Sequence, residues 1–309
     1  MRALFAVAAV LASQVAMPAT AQDRMTQDTC SQSWAATEAL LGLPAAGPVI
    51  TVDVGGWCAM SDVTFGLAED SDLRMRSLRW RGSDLARFVN DGLPPRALEI
   101  EAAGIAVMPL TGSAVMDYAL AVQGGNSSLD ARLSVRWDGV QNAVMVEAAE
   151  VLFDAANRVS ATARIDGVNL TNRAAIEASA GSAGLRDLTV KSEFAGWFED
   201  KALLPLASGL LRDDGTPPAA QVEAFKVQAI GLLDSLPDTV LPTPSRDALS
   251  AFVQTLPAPR GSAQLQFTAR PPFGVARAMP FMAVQGLPDA EAFDGTSLLF
   301  TWAPKAASK

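Results

Sequence analysis

Cys30 and Cys58 are the only cysteines in a chain of 309 residues that has no histidine at all. Those two facts decide much of the chemistry. Without imidazole there is no Ser-His-Asp or Cys-His machinery, no zinc-protease helix motif and no histidine proton shuttle. Two thiolates alone leave a zinc or copper ion short of its usual ligands, so no metal site is expected. An even pair of cysteines in an oxidising compartment reads as a disulfide between Cys30 and Cys58. Closing a loop of this size stabilises a fold by about 3 to 4 kcal/mol on the chain-entropy model.

The carboxylates offer less. Glu99 and Glu101 alternate with Leu98 and Ile100, which puts both acids on one face of a strand. There they form either a catalytic carboxylate pair, a cation site or an ordinary solvated strand face. Asp70 and Asp72 resemble the start of a calcium loop, but the glycine and closing glutamate at the required spacing are missing. No Gly-x-Ser-x-Gly elbow, Ser-x-x-Lys pair or phosphate-binding glycine loop occurs, so no catalytic residue and no cofactor is assigned. The triplets at Asn126 and Asn169 match the glycosylation pattern, which is common by chance.

Arginines are concentrated in the stretch 73–82, LRMRSLRWRG. Leu73 and Met75 alternate with Arg74 and Arg76, then Leu78 and Trp80 alternate with Arg79 and Arg81 in the opposite phase. A continuous strand must absorb one extra residue to keep all four apolar side chains on one face, so a β-bulge is expected at or beside Ser77. The four arginines then share the wet face, where cross-strand pairing with Asp and Glu is the expected role. The segment 132–139, RLSVRWDG, repeats the pattern, and both copies end in Trp-x-Gly.

These groups must be positioned by a mostly β framework. Strands are expected over 49–54, 60–65, 73–82, 97–108, 118–123, 129–138, 143–153, 158–167, 185–194, 263–269 and 297–302, separated by short turns. A first helix is expected with Trp34, Thr37 and Leu41 on one face, Ser33 as its cap and Gly42 at its end. A second, capped by Ser83 or Asp84 and ended by Gly92, carries Leu85, Phe88 and Val89. Residues 199–211 are helical in composition but contain Pro205. A helical hairpin follows. Its first helix starts at Thr216 and Pro217 and has the stripe Val222, Phe225, Ala229, Leu232 and Leu236. Its second is capped by Ser245 and carries Leu249, Phe252, Val253 and Leu256.

The fold class expected is α+β: a long, strongly curved antiparallel β-meander with an amphipathic helical hairpin packed on it in the C-terminal third. Residues 1–21 read as a cleaved secretory signal, with Arg2, the apolar run 3–12 and Ala19-Thr20-Ala21. Residues 22–197 form the meander with its short N-terminal helix, and 198–309 the hairpin and returning strands of the same domain. No later segment reaches the length of a transmembrane helix, so a soluble periplasmic protein is expected. A formal net charge of -9 argues against nucleic acid and anionic lipid surfaces.

The arginine-bearing strands, the Trp-x-Gly ends, the helical pair and the return strand resemble uncharacterised periplasmic proteins of alphaproteobacteria, and distantly the AsmA-type families of long β-meanders. That resemblance covers roughly 73–269. It implies a link to outer-membrane lipid homeostasis, although AsmA-type proteins normally keep a membrane anchor that is not seen here. The function expected is a secreted, non-enzymatic envelope protein binding a lipid or other apolar small molecule, with Val222, Phe225, Leu232, Leu249 and Phe252 as its lining. The alternative is a carboxylate-dependent hydrolase of envelope polymers. An outer-membrane barrel is compatible with the strand alternation but poor in girdle aromatics.

Overall fold

The computed structural model describes residues 24–42, 49–68, 71–109, 112–113, 115–116, 128–203, 206–207, 211–212, 215–277 and 293–305. The leader at 1–21, the strand expected over 118–123, Asp70, Asn126 and Pro205 lie outside them. In chain order the elements are α1 (Gln27–Leu41), β1 (Thr51–Val52), β2 (Cys58–Ala68), β3 (Ser71–Ser83), α2 (Leu85–Asp91), β4 (Ala97–Pro109) and β5 (Leu129–Asp138). Then come β6 (Ala143–Leu152), β7 (Arg158–Asp166), α3 (Arg173–Ser179), β8 (Gly184–Phe194) and a π-helical turn (Phe198–Ala202). α4 (Pro218–Ser235), α5 (Thr243–Thr255), β9 (Gly261–Gly274) and β10 (Thr296–Pro304) complete the chain.

All ten strands form one antiparallel sheet whose spatial order is its chain order, from β1 to β10. It is an open meander, not a barrel. Among the described residues no helix is long and apolar enough to cross a membrane.

Register explains why the sheet has one dry and one wet face. Cys58, Trp80, Ile100, Leu133, Ala149, Ala161, Val190, Leu265 and Phe300 stand opposite one another in turn, from β2 to β10. Directly opposed residues share a face, so this is an apolar rung crossing nine strands. The neighbouring rung is polar: Arg79, Glu101, Arg132, Glu150, Ser160, Lys191, Gln264 and Thr301. Alternation along each strand thus propagates sideways across the sheet.

The phase change in β3 is real, but its mechanism differs from the one expected. Leu73, Met75, Leu78 and Trp80 all join one core. No extra residue sits at Ser77, since β3 keeps a single register with β2 from Leu73 to Trp80 and with β4 along its whole length. Pairing lapses instead along a line across three strands, at Asp62, Arg76 and Gly104. Asp62 and Gly104 take positive φ, 52° and 67°. The neighbours change phase with β3: Cys58 and Met60 share the core with Val63 and Phe65, and Ile100 and Ala102 share it with Ile105. A Cβ at Gly104 would stand 2.8 Å from Cβ of Arg76, which explains the glycine.

Helices cover the two ends of the dry face. At the N-terminal end Cys30 and Trp34 of α1 and Leu85 of α2 pack into the core with β2 and β3. At the other end α5 packs on β10, and Phe252 meets Phe194, Phe300 and Trp302. α4 packs against α5 and has no fully buried residue, so the hairpin lies on the sheet through its second helix.

Several ends differ from expectation. α1 starts two turns earlier, capped by Thr26, whose hydroxyl accepts from the Thr29 N–H at 3.2 Å. Ser33 is inside it and buried. Asp84 is left-handed, with φ 58°, and makes no side-chain cap; its carboxylate pairs with Arg96 at 3.2 Å. Pro217 and Pro242, not Thr216 and Ser245, stand at the caps of α4 and α5, and Pro218 and Pro244 lie in their first turns, where a residue without an N–H costs nothing. The short α3 was not expected. Pro304, with no N–H, lies at the outer end of β10, and the Leu298 and Phe300 N–H groups are taken by the Val240 carbonyl at 2.7 Å and Ser245 Oγ at 3.0 Å.

Candidate functional site

A cavity of about 680 Å³ lies between α1, α2 and strands β2 to β4. Its floor is the dry face of β3 and β4: Leu73, Met75, Leu78, Trp80, Leu98 and Ile100. The shared phase change makes this floor, since without it Leu73 and Met75 would point to the wet side. Trp34, Thr37, Leu40 and Leu41 of α1 form one wall, and Leu85 and Phe88 of α2 another.

Two links hold α1 over the floor. The Cys30–Cys58 disulfide joins its first turns to β2, with both cysteines fully buried. One turn on, buried Ser33 Oγ accepts a hydrogen bond of 3.0 Å from Trp80 Nε1 and donates to the Cys30 carbonyl at 3.0 Å. Trp34 packs at 5.7 Å from the rings of both Phe65 and Trp80. The expected disulfide is therefore present, and it frames the cavity.

Among the described residues no charged side chain lines this space. The Thr37 hydroxyl donates to the Ser33 carbonyl at 2.9 Å, so it too is engaged. Trp34 Nε1 is buried with no hydrogen-bond partner among the described residues, and the rest of the described lining is mostly apolar. Such a lining can exclude water from an apolar guest.

On the wet face a second hollow of about 460 Å³ is lined by Arg79, Glu101, Asp130, Arg132 and Glu150 among others. Glu101 accepts from Arg79 Nε at 2.7 Å and faces Arg132 Nε at 3.7 Å, while Glu99 accepts from Arg81 at 2.9 Å. Asp130 accepts from the Gly104 N–H at 2.8 Å and stands 3.9 Å from Arg76. Arg79 and Arg81 also lie over the Trp57 ring, 4.7 and 4.3 Å from its centre. Arg76, Arg79, Arg81 and Arg132 thus take cross-strand partners as expected, whereas Arg74 stands 4.0 Å from Asp72 on its own strand, and Glu99 and Glu101 are spent on ion pairs rather than presented as an acid and its base. Farther along, burial pushes the Asp166 carboxyl up, but hydrogen bonds and charge from Arg164 and Arg186 outweigh it and leave it below the usual aspartate range. Among the described residues no cluster of acids or cysteines is arranged to hold a metal ion.

The residues expected as ligand lining fall elsewhere. Phe225 and Leu232 are 44% and 46% exposed on α4. Val222 and Leu249 are half-buried, and Phe252 is a packing residue of the aromatic cluster. The structure does not gather the five around the cavity between α1, α2 and the sheet. The residues that do line it carried their own signal, the stripes Trp34-Thr37-Leu41 and Leu85-Phe88 on two short helices flanking the best-patterned strand. What defines the molecule is an open antiparallel meander with a disulfide-pinned helix standing over an apolar cavity at one end. No protein-family model matches the chain, and no curated protein shows significant sequence similarity to it.

Proposed function

We propose that this is a secreted, periplasmic, non-enzymatic protein of the cell envelope that takes the acyl chain of a lipid, or another apolar small molecule, into the cavity under α1. The observation that carries this reading is the lining, uncharged among the described residues, of a space of about 680 Å³, within the range of roughly 300 to 1,000 Å³ usual for small-ligand sites. The disulfide and the leader-like residues 1–21 support an extracytoplasmic setting. Register shifts recur on the ladders from β4 to β9. Bulges of this kind bend strands, and a bent sheet suits an enclosing role. The pattern-level likeness to AsmA-type proteins agrees with a lipid ligand.

The test is to purify the protein gently from the periplasm, examine it by native mass spectrometry for bound lipid, and titrate a fluorescent fatty-acid probe. Leu78→Trp, which fills the floor, is expected to abolish probe binding; Phe225→Ser, on the exposed face of α4, is expected to leave it unchanged. Absence of both co-purified lipid and displaceable probe refutes the reading.

A further inference from the structure

We propose that the C-terminal end of α1 docks the mouth of the cavity onto the surface of an uncharged, zwitterionic phospholipid bilayer, with Leu40 and Leu41 entering the interface. This rests on the reading that the cavity takes an acyl chain, and adds where that chain comes from. Leu40 and Leu41 line the cavity and yet are 71% and 63% exposed. They therefore form its rim, facing the ligand space and solvent together. A single exposed leucine is ordinary. An adjacent pair continuous with an apolar interior makes one unbroken dry surface from outside to inside, which marks an interaction site.

Gly42, left-handed with φ 64°, ends the helix directly after the pair, so the two leucines occupy its last turn. Charge selects the kind of surface. α1 carries Asp28 and Glu38 and neither lysine nor arginine, and among the described residues the cavity lining has no basic side chain. The basic side chains beside the other wall, Arg87 of α2 and Arg96 next to Pro95, both face Asp84, and a chain of formal charge -9 is repelled by an anionic leaflet. A zwitterionic surface exacts no such penalty and still gains from burying the leucines. Two side chains give weak, reversible attachment, as loading and release require.

The test uses co-sedimentation of the whole mature protein with vesicles of pure phosphatidylcholine and of pure phosphatidylglycerol, at low salt. The variant is L40S/L41S, at exposed positions, with its melting curve as a check on folding. Wild type is expected to bind phosphatidylcholine vesicles and to bind phosphatidylglycerol more weakly; the double variant is expected to lose at least about tenfold in partition. Uptake of a soluble fatty-acid probe without vesicles is expected to stay the same in the variant. Equal sedimentation of variant and wild type overturns the proposal, as does a preference for phosphatidylglycerol. A leucine-dependent dimer in sedimentation velocity without vesicle binding overturns it in favour of a second copy as the occupant. Leucine-dependent vesicle binding with neither co-purified lipid nor probe uptake upholds the docking and refutes the cavity reading alone.

Discussion

Replacing Ser33 by alanine tests how α1 is held over the cavity. Ser33 is 2% exposed and Trp80 6%, and their side chains meet at 3.0 Å. The substitution leaves the Trp80 N–H buried with no acceptor, and stranding such a donor costs about 1 to 3 kcal/mol. For a domain of this size that corresponds to a fall in Tm of roughly 2 to 4 °C per kcal/mol. Trp80→Phe removes the donor too, so in the double variant nothing is stranded. The cycle S33A, W80F and S33A/W80F, followed by urea denaturation with far-UV circular dichroism, should therefore be non-additive: S33A is expected to cost about 1 kcal/mol less in the W80F background. Ser31→Ala, exposed on the same helix, is the control and should stay within about 0.5 kcal/mol of wild type. A strictly additive cycle, or an S33A cost no greater than that of S31A, refutes the hydrogen bond as the link between helix and sheet.

Removing the disulfide as C30A/C58A is expected to lower stability by about 3 to 4 kcal/mol and to weaken probe binding, measured by denaturation and titration side by side. Gly104→Ala places a Cβ 2.8 Å from Cβ of Arg76 at a residue with φ 67°; a loss of at least about 1 kcal/mol is expected, where alanine at exposed Gly181, with open space around it, should cost less. Asp166 titrates below the ordinary aspartate value because Arg164 and Arg186 outweigh its burial. Its contribution is therefore complete above the unfolded value near 3.9 and is lost as pH falls through the lower folded value. The stability difference between wild type and D166N, measured from pH 6 downward, should be flat at first and then shrink below about pH 4; a difference that grows on acidification reverses the sign and the assignment.

Strands were the legible part of this sequence. Alternation in 129–138 defines β5 to the residue, and the return strands β9 and β10 were also visible, because a half-buried strand writes its face directly into every second position. Helix stops were legible for a similar reason: Gly42 and Gly92 take the left-handed conformation that favours glycine. Starts were not, because a hydroxyl can serve more than one end. Ser33 and Ser245 look like caps, yet one accepts from Trp80 and the other from the Phe300 N–H. α3 carries only two turns, too few for a stripe. The phase change in 73–82 was legible in β3 alone, whereas its resolution needed Asp62 and Gly104 from strands on either side. The cavity was least legible. Each of its walls shows an apolar stripe, but a stripe says only that a face is covered, and the gap between α1 and the sheet is a property of the assembled fold.

Because spatial order follows chain order, each strand pairs with the one made just before it. Mean sequence separation between contacting residues stays short, a condition that favours fast folding in β-rich chains. The sheet can then grow like a zip from its N-terminal end as the polypeptide emerges, without waiting for its C-terminus. It also has a defined stop: at β10 the outward Leu298 and Phe300 N–H groups already have acceptors and Pro304 has none to offer, so a further strand finds little ladder there to extend and self-templated stacking is discouraged at that edge.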